Sequence, residues 1–297
     1  MSEVERSTWD FSEGDEVGQE RYALRRMGGG KQYEVYLAWD EDLYALVVAK
    51  LVRPHLATDA HALRSLAREA DVLGGLNHPV IVRIFAATLD GDRPQLALEF
   101  LEGPRLSRLV RKYGKLELEQ LLPLALQVCS ALHHLRRRGV VHLDVKPSNI
   151  IMGAPPRLID FSIARDVGGA REIRSPIGTD AYMAPEQCDP ARHKIGPAAD
   201  VWGLGATLFH AVSGRVPFPR SDDYERADRG QRFPQRERDP EQLPSGIPAP
   251  LAEVITACLA LEPSDRPTPA AIADALEPVV AALPTRPVLR RMRPRLR

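Results

Sequence analysis

The chain has 297 residues, 44% of them hydrophobic, and its 40 lysines and arginines balance 40 aspartates and glutamates. Zero net charge gives no bulk attraction to nucleic acid or a membrane surface, and no apolar run reaches the ~20 residues of a membrane span. The length exceeds one minimal core and suits a bilobal unit or two domains. Cys129, Cys188 and Cys258 have neither paired nor metal-ligand spacing. With no signal-peptide pattern either, the expectation is a cytoplasmic protein with reduced thiols.

Residues 1–19 are acidic, with Glu3, Glu5, Asp10, Glu13, Asp15 and Glu16. They predict a solvated tail in which Trp9 and Phe11 are the side chains able to anchor on a folded body. Extended patterns follow at Tyr22–Arg26 and Val35–Trp39, with Gly28, Gly29 and Gly30 between them. Two strands around such a turn make a hairpin whose bare backbone can lie against phosphates, although most glycine runs are plain turns. Lys50 closes a strand signal at Leu46–Leu51, where an unpaired ammonium is costly, so an anionic partner is expected. Leu63, Leu66, Ala70 and Leu73 predict a helix over about 59–73, with Glu69 beside the stripe. Asn77, His78 and Pro79 end it. Residues 81–85 and 95–100 read as strands, and Leu101–Pro104 as a linker.

Beyond the linker the pattern is helical, at Leu106–Lys112 and Leu118–Arg138. His133 and His134 lack a ligand-spaced partner and read as structural. The loop from His142 to Asn149 sets Asp144, Lys146 and Asn149 between the apolar pairs Val140-Val141 and Ile150-Ile151. Pro147 prevents it from continuing as a helix. A carboxylate, an ammonium and an amide so held can orient a hydroxyl, neutralise phosphate and ligate a hard cation. Leu158-Ile159-Asp160-Phe161 is a second apolar run ending in a carboxylate. After a polar segment at 162–183 come Ala184-Pro185-Glu186, a helix at 200–212, and an unassigned stretch at 219–248. Helices at 251–261 and 269–283 precede a basic end at 286–297.

The loop and the Asp160 segment together resemble the catalytic loop and metal-binding segment of protein kinases, and the resemblance runs from about residue 20 to 280. It implies an α+β bilobal kinase fold with a β-rich N-lobe and a mainly helical C-lobe. The N-lobe would cover about 20–98, the hinge 99–103 and the C-lobe 104–283, between tails at 1–19 and 284–297. Gly28, Gly30 and Val35 match the glycine loop. The resemblance makes ATP and Mg²⁺ (or Mn²⁺) the cofactors. Lys50, held by Glu69, would contact the α- and β-phosphates, and Asn149 and Asp160 would hold the metal. Asp144 would be the catalytic base and Lys146 the contact to the γ-phosphate. Val35 and Ala49 would sandwich the adenine above Ile151, the backbones of Glu99 and Leu101 would read its edge, and Leu98 would control the back pocket. Lys146 and the Gly178-Thr179 pair follow the serine/threonine pattern, and Thr179 matches a residue that contacts the catalytic aspartate. Glu186 and Arg266 resemble the family's buried ion pair, and Asp200 the residue supporting the catalytic loop.

Three residues depart from the pattern. Leu143 replaces the arginine before the catalytic aspartate, Ser162 the glycine after Asp-Phe, and Tyr33 the third loop glycine. The last predicts weakened ATP binding. A protein substrate with serine or threonine is implied, with self-association for autophosphorylation compatible and neither nucleic acid nor a membrane span expected. A pseudokinase that scaffolds partners is the alternative reading, and a small-molecule phosphotransferase a further one. The arginine-heavy composition fits a bacterial member.

Overall fold

An antiparallel sheet occupies the first part of the chain and helices the rest. Residues 7–219 and 232–283 are described in the computed structural model. Strands β1 (Glu16–Gly18), β2 (Arg21–Gly29), β3 (Tyr33–Asp40), β4 (Ala45–Val52), β5 (Ile84–Thr88) and β6 (Gln95–Glu99) form one six-stranded sheet, ordered β1-β2-β3-β4-β6-β5. The β3–β4 register is unbroken from Tyr33↔Val52 to Asp40↔Ala45 and sets Val35 opposite Lys50. Helix α1 (Ala60–Gly74) packs beside the sheet. Its Asp59 cap accepts the Ala62 N–H at 2.8 Å, satisfying one of the helix's open donors.

The hinge leads into α2 (Leu106–Tyr113) and α3 (Leu118–Arg137). Four short strands follow, β7 (Val140–Val141), β8 (Ile150–Ile151), β9 (Arg157–Leu158) and β10 (Arg165–Asp166), in the pairs β7–β10 and β8–β9. Helices α4 (Val167–Arg171), α5 (Pro185–Cys188), α6 (Ala198–Ser213), α7 (Ala249–Cys258) and α8 (Pro269–Ala281) complete the lower lobe. Nearly every residue of α6 is buried, as expected for a helix apolar on all sides.

The structure corrects the expected layout in places. The fifth strand begins at Ile84, not Ile81, because Val80–Val82 pair elsewhere: Leu158 N–H donates to Val80 O at 2.7 Å, and Val82 N–H to Leu158 O at 3.0 Å. The α7 helix stops at Cys258, short of the expected Leu261. Residues 7–18, expected as part of a solvated tail, lie against the sheet. The Trp9 indole stacks on Phe11 (5.8 Å), Phe11 meets the buried Tyr36 edge-on (5.4 Å), and β1 pairs with β2. In the unassigned stretch, Phe233 and Gln235 are buried around a short turn at Pro234–Arg236. Residues 1–6, 220–231 and the basic end lie outside the described residues.

At the hinge, Gly103 has φ +132°, and a Cβ there would stand 2.2 Å from Met152 O. Only glycine fits that approach. Among the described residues no helix is long and apolar enough to cross a membrane.

Candidate active site

Lys50 and Glu69 meet where β4 faces α1. The ammonium donates to both carboxylate oxygens, at 2.9 and 2.7 Å, and reaches Asp160 Oδ1 at 3.3 Å. Burial opposes charge at this site, but attraction to Glu69 and Asp160 prevails and holds Lys50 ionised well above its ordinary range. Burial likewise opposes charge on Asp160, but the Lys50 ammonium, a hydrogen bond from Ser162 and nearby His142 together outweigh it and keep the carboxyl far below the usual carboxylate range. The Asp160 side chain remains 42% exposed, so its charge opens onto the cleft. The Tyr33 ring centroid lies 4.7 Å from Lys50 Nζ, within cation–π range.

The second cluster is the 142–149 loop. Lys146 Nζ donates to Asp144 Oδ2 at 2.6 Å and to Thr179 Oγ1 at 2.5 Å, and the Thr179 hydroxyl donates to Asp144 Oδ1 at 2.8 Å. Asn149 Nδ2 donates to Asp144 O and Oδ2, both at 3.0 Å. This engages the asparagine's donor side and leaves its carbonyl oxygen as the atom suited to a cation.

Backbone strain marks both clusters. Leu143 (φ +70°) and Asp160 (φ +65°) occupy the left-handed region, which non-glycine residues adopt only under constraint. The constraint on Leu143 is visible. The buried Asp200 carboxylate accepts the N–H groups of His142 and Leu143, each at 2.8 Å. Buried Gln187 donates to Leu143 O at 2.8 Å and to Ile177 O at 3.0 Å, tying the loop to the segment that carries Thr179. The His142 ring meets Phe161 edge-on at 4.5 Å and links the two clusters.

The family model described as "Protein kinase domain" matches residues 22–277. The chain belongs to the protein kinase family. Among curated relatives, the serine/threonine-protein kinase PkaA of Streptomyces coelicolor is 34% identical over 244 residues, covering 80% of this chain and 44% of that protein. The serine/threonine-protein kinase PknB of Mycobacterium leprae is 32% identical over 261 residues, covering 83% of this chain and 41% of that protein. The probable serine/threonine-protein kinase PkwA of Thermomonospora curvata is 34% identical over 250 residues, covering 83% and 32%. The chain thus spans less than half the length of each of these relatives.

The other expected residues take the following places in the structure, one of them a correction. Val35 lies opposite Lys50 in the β3–β4 register. Ala49 does not share that face. It is fully buried with Val17, Tyr36 and Leu51 in the cluster that supports Trp9 and Phe11. Successive strand residues point to opposite faces, so Val48, two before Lys50, is the β4 side chain on the cleft side. Glu99 ends β6, its N–H pairs with Arg83 O at 2.9 Å, and its carboxylate takes Arg83 (3.0 Å) and Arg157 (3.3 Å). Leu101 lies in the connection that follows β6, and Ile151 lies in β8, bridged to Arg105. Gly28 and Gly30 have open space where a Cβ would stand, and the crowded glycine is Gly29, whose Cβ would meet Tyr33 O at 2.6 Å.

Among the described residues no three His, Cys, Asp or Glu side chains cluster as a metal cage. Asn149 and Asp160 nonetheless fit Mg²⁺, which binds through one or two protein oxygens and keeps its other positions for water and phosphate. Sequence reasoning missed Val48 and Gln187. The alternation of β4 contained the signal for Val48, whereas nothing in a linear sequence marks Gln187.

Proposed function

We propose that this domain is a serine/threonine protein kinase that transfers the γ-phosphate of ATP to a protein hydroxyl. The observation that carries the reading is the simultaneous closure of both clusters: Lys50 is paired with Glu69 beside Asp160, and Asp144 is held by Lys146, Thr179 and Asn149. Phosphoryl transfer asks for such positioned charge rather than covalent chemistry from the protein.

Lys50 holds the α- and β-phosphates beneath the Gly28–Gly30 loop. The backbones of Glu99 and Leu101 read the adenine edge, between Val35 and Val48 above and Ile151 below. Asn149 and Asp160 would hold Mg²⁺, which would supply positive charge against that developing on the transferred phosphate. The substrate oxygen forms a bond to the γ-phosphorus as the bond from that phosphorus to the bridging oxygen breaks. The hydroxyl proton passes to Asp144, Lys146 steadies the transferred group, and ADP leaves. A cytoplasmic location and self-association during autophosphorylation fit this reading. The names of the curated relatives support the serine/threonine class, as does Thr179 within reach of Asp144.

Incubation with γ-labelled ATP and Mg²⁺, followed by phosphoamino-acid analysis, tests the proposal. Label on serine or threonine that is absent in Asp144→Asn supports it. Nucleotide binding without transfer would favour the scaffolding pseudokinase instead.

A further inference from the structure

The glycine loop is tethered from outside the cleft. Arg53, the first residue after β4, donates Nε to Gly30 O at 2.7 Å, and its backbone N–H donates to Gln32 O at 2.9 Å. The Arg53 side chain is only 13% exposed, and its Nη1 reaches Glu34 Oε1 at 3.0 Å and Ser7 O at 3.1 Å. The Glu34 carboxylate is fully buried and also accepts the Tyr36 hydroxyl at 3.0 Å and the Trp9 N–H at 3.3 Å. The Trp9 indole N–H in turn donates to Val52 O at 2.8 Å. Arg93 lies over both Trp9 and Phe11, at 5.8 and 5.1 Å, and donates to Glu16 O at 2.5 Å. Residues 7–11 thus form a strap across the far side of the sheet, and Arg53 carries its grip through to the loop's Gly30 carbonyl.

We propose that Arg53 is a positioning residue for nucleotide binding and that the Trp9–Phe11 strap acts through it, holding the glycine loop in its phosphate-receiving position. This rests on the ATP-site reading above. A Cβ at Gly28 or Gly30 would meet nothing within 4 Å, and glycine-rich backbone is free to adopt conformations unsuited to a ligand. An external tether limits that loss. If the untethered loop is competent only about a tenth to a fifth of the time, affinity falls five- to tenfold.

The test is a titration of the 297-residue wild-type chain, Arg53→Lys, Trp9→Ala and the double variant with Mg²⁺ and a fluorescent methylanthraniloyl-ATP. Lysine leaves a cation for the buried Glu34, so the variant keeps its fold, but one ammonium cannot span Gly30, Glu34 and Ser7. Each single variant should bind at least about fivefold more weakly, and the double variant no more weakly than Arg53→Lys, because both act along one route. Peptide turnover at saturating ATP should stay within twofold, placing the defect in KM for ATP and not in kcat. Wild-type binding with an Arg53→Lys affinity within twofold overturns the inference alone. So do additive losses, or a loss in Trp9→Ala only. Failure of the wild type to bind overturns the nucleotide-site reading and this inference with it.

Discussion

Glu186 and Arg266 face each other as a two-pronged pair, Nη1 to Oε1 at 2.7 Å and Nη2 to Oε2 at 2.8 Å, with side chains 3% and 0% exposed. Arg266 spends its other donors on Ala260 O, Ala198 O and Leu261 O, and its guanidinium lies 5.0 Å from the Trp202 ring centroid. The pair ties α5, at the end of the Thr179 segment, to α6 and the turn after α7. Glu186→Ala leaves a buried guanidinium uncompensated and should cost ~3–5 kcal/mol. Urea unfolding of wild type and variant measures it. A loss below about 1 kcal/mol would place the pair in the weak, solvated class.

The catalytic assignment makes a second prediction. Lys50→Met, Asp144→Asn and Asp160→Asn should each reduce peptide phosphorylation to background while circular dichroism remains native. Groups that act as a unit lose most of their effect with the first substitution, so double variants should be scarcely worse than single ones. Near-normal turnover by Asp144→Asn would remove it from the role of base.

Tyr33 behaves differently from what its place in the glycine pattern predicts. Its ring is buried with Val52, Ala62 and Leu66, between sheet and α1, and covers Lys50. Tyr33→Gly, which installs the glycine of the pattern, is therefore expected to harm the site. That variant removes a packed ring, a change of the class that costs about 3–5 kcal/mol, and it loosens the Lys50–Glu69 pair, so Mg-ATP should bind more weakly. The Tyr33 hydroxyl is buried without a well-formed hydrogen bond, although the Ser65 side chain approaches it. Tyr33→Phe should then keep the melting temperature at or above that of wild type, since a buried unsatisfied group costs free energy. Calorimetric melting and titration with Mg-ATP check both variants.

Leu143 carries a prediction about regulation. An arginine before the catalytic aspartate could pair with a phosphate on the Phe161–Glu186 segment. Leu143 cannot, and Asp200 and Gln187 already fix its backbone. A phosphate on Ser175, if placed there, is therefore predicted not to be the main switch. Phosphatase treatment should lower peptide turnover by less than tenfold, and Ser175→Ala should match the treated enzyme. A larger loss, beyond ~1.4 kcal/mol of barrier, would mean that other arginines, such as Arg165, Arg171 or Arg174, receive the phosphate.

Much of the site was legible because its residues are held by their sequence neighbours. Asp144, Lys146 and Asn149 share one loop, and Lys50 at the end of an apolar strand demanded an anion, which Glu69 supplies. Ala49 was misplaced because the resemblance was followed one residue out of phase with β4, whose alternation puts Val48 with Lys50. The strap was hidden by composition. The acidic residues around Trp9 and Phe11 read as a solvated tail, while the partners that hold them down, Glu34, Tyr36, Val52 and Arg93, come from four later positions. The fifth strand was misjudged because Val80–Val82 have strand-like side chains but pair with Leu158, 76 or more positions away.

That last pairing divides the molecule differently from its sequence. Residues 80–82 precede the hinge, yet their backbone completes the edge of the β8–β9 hairpin that follows the catalytic loop. Arg157 from the same hairpin reaches up to Glu99 at the hinge's start. A chain nicked between Leu101 and Pro104 should therefore remain one particle, each fragment holding part of the other's secondary structure. Co-elution of the two pieces in size-exclusion chromatography would show it. Residues 80–82 thus belong to the N-terminal fragment by sequence and to the hairpin of the C-terminal one by backbone pairing.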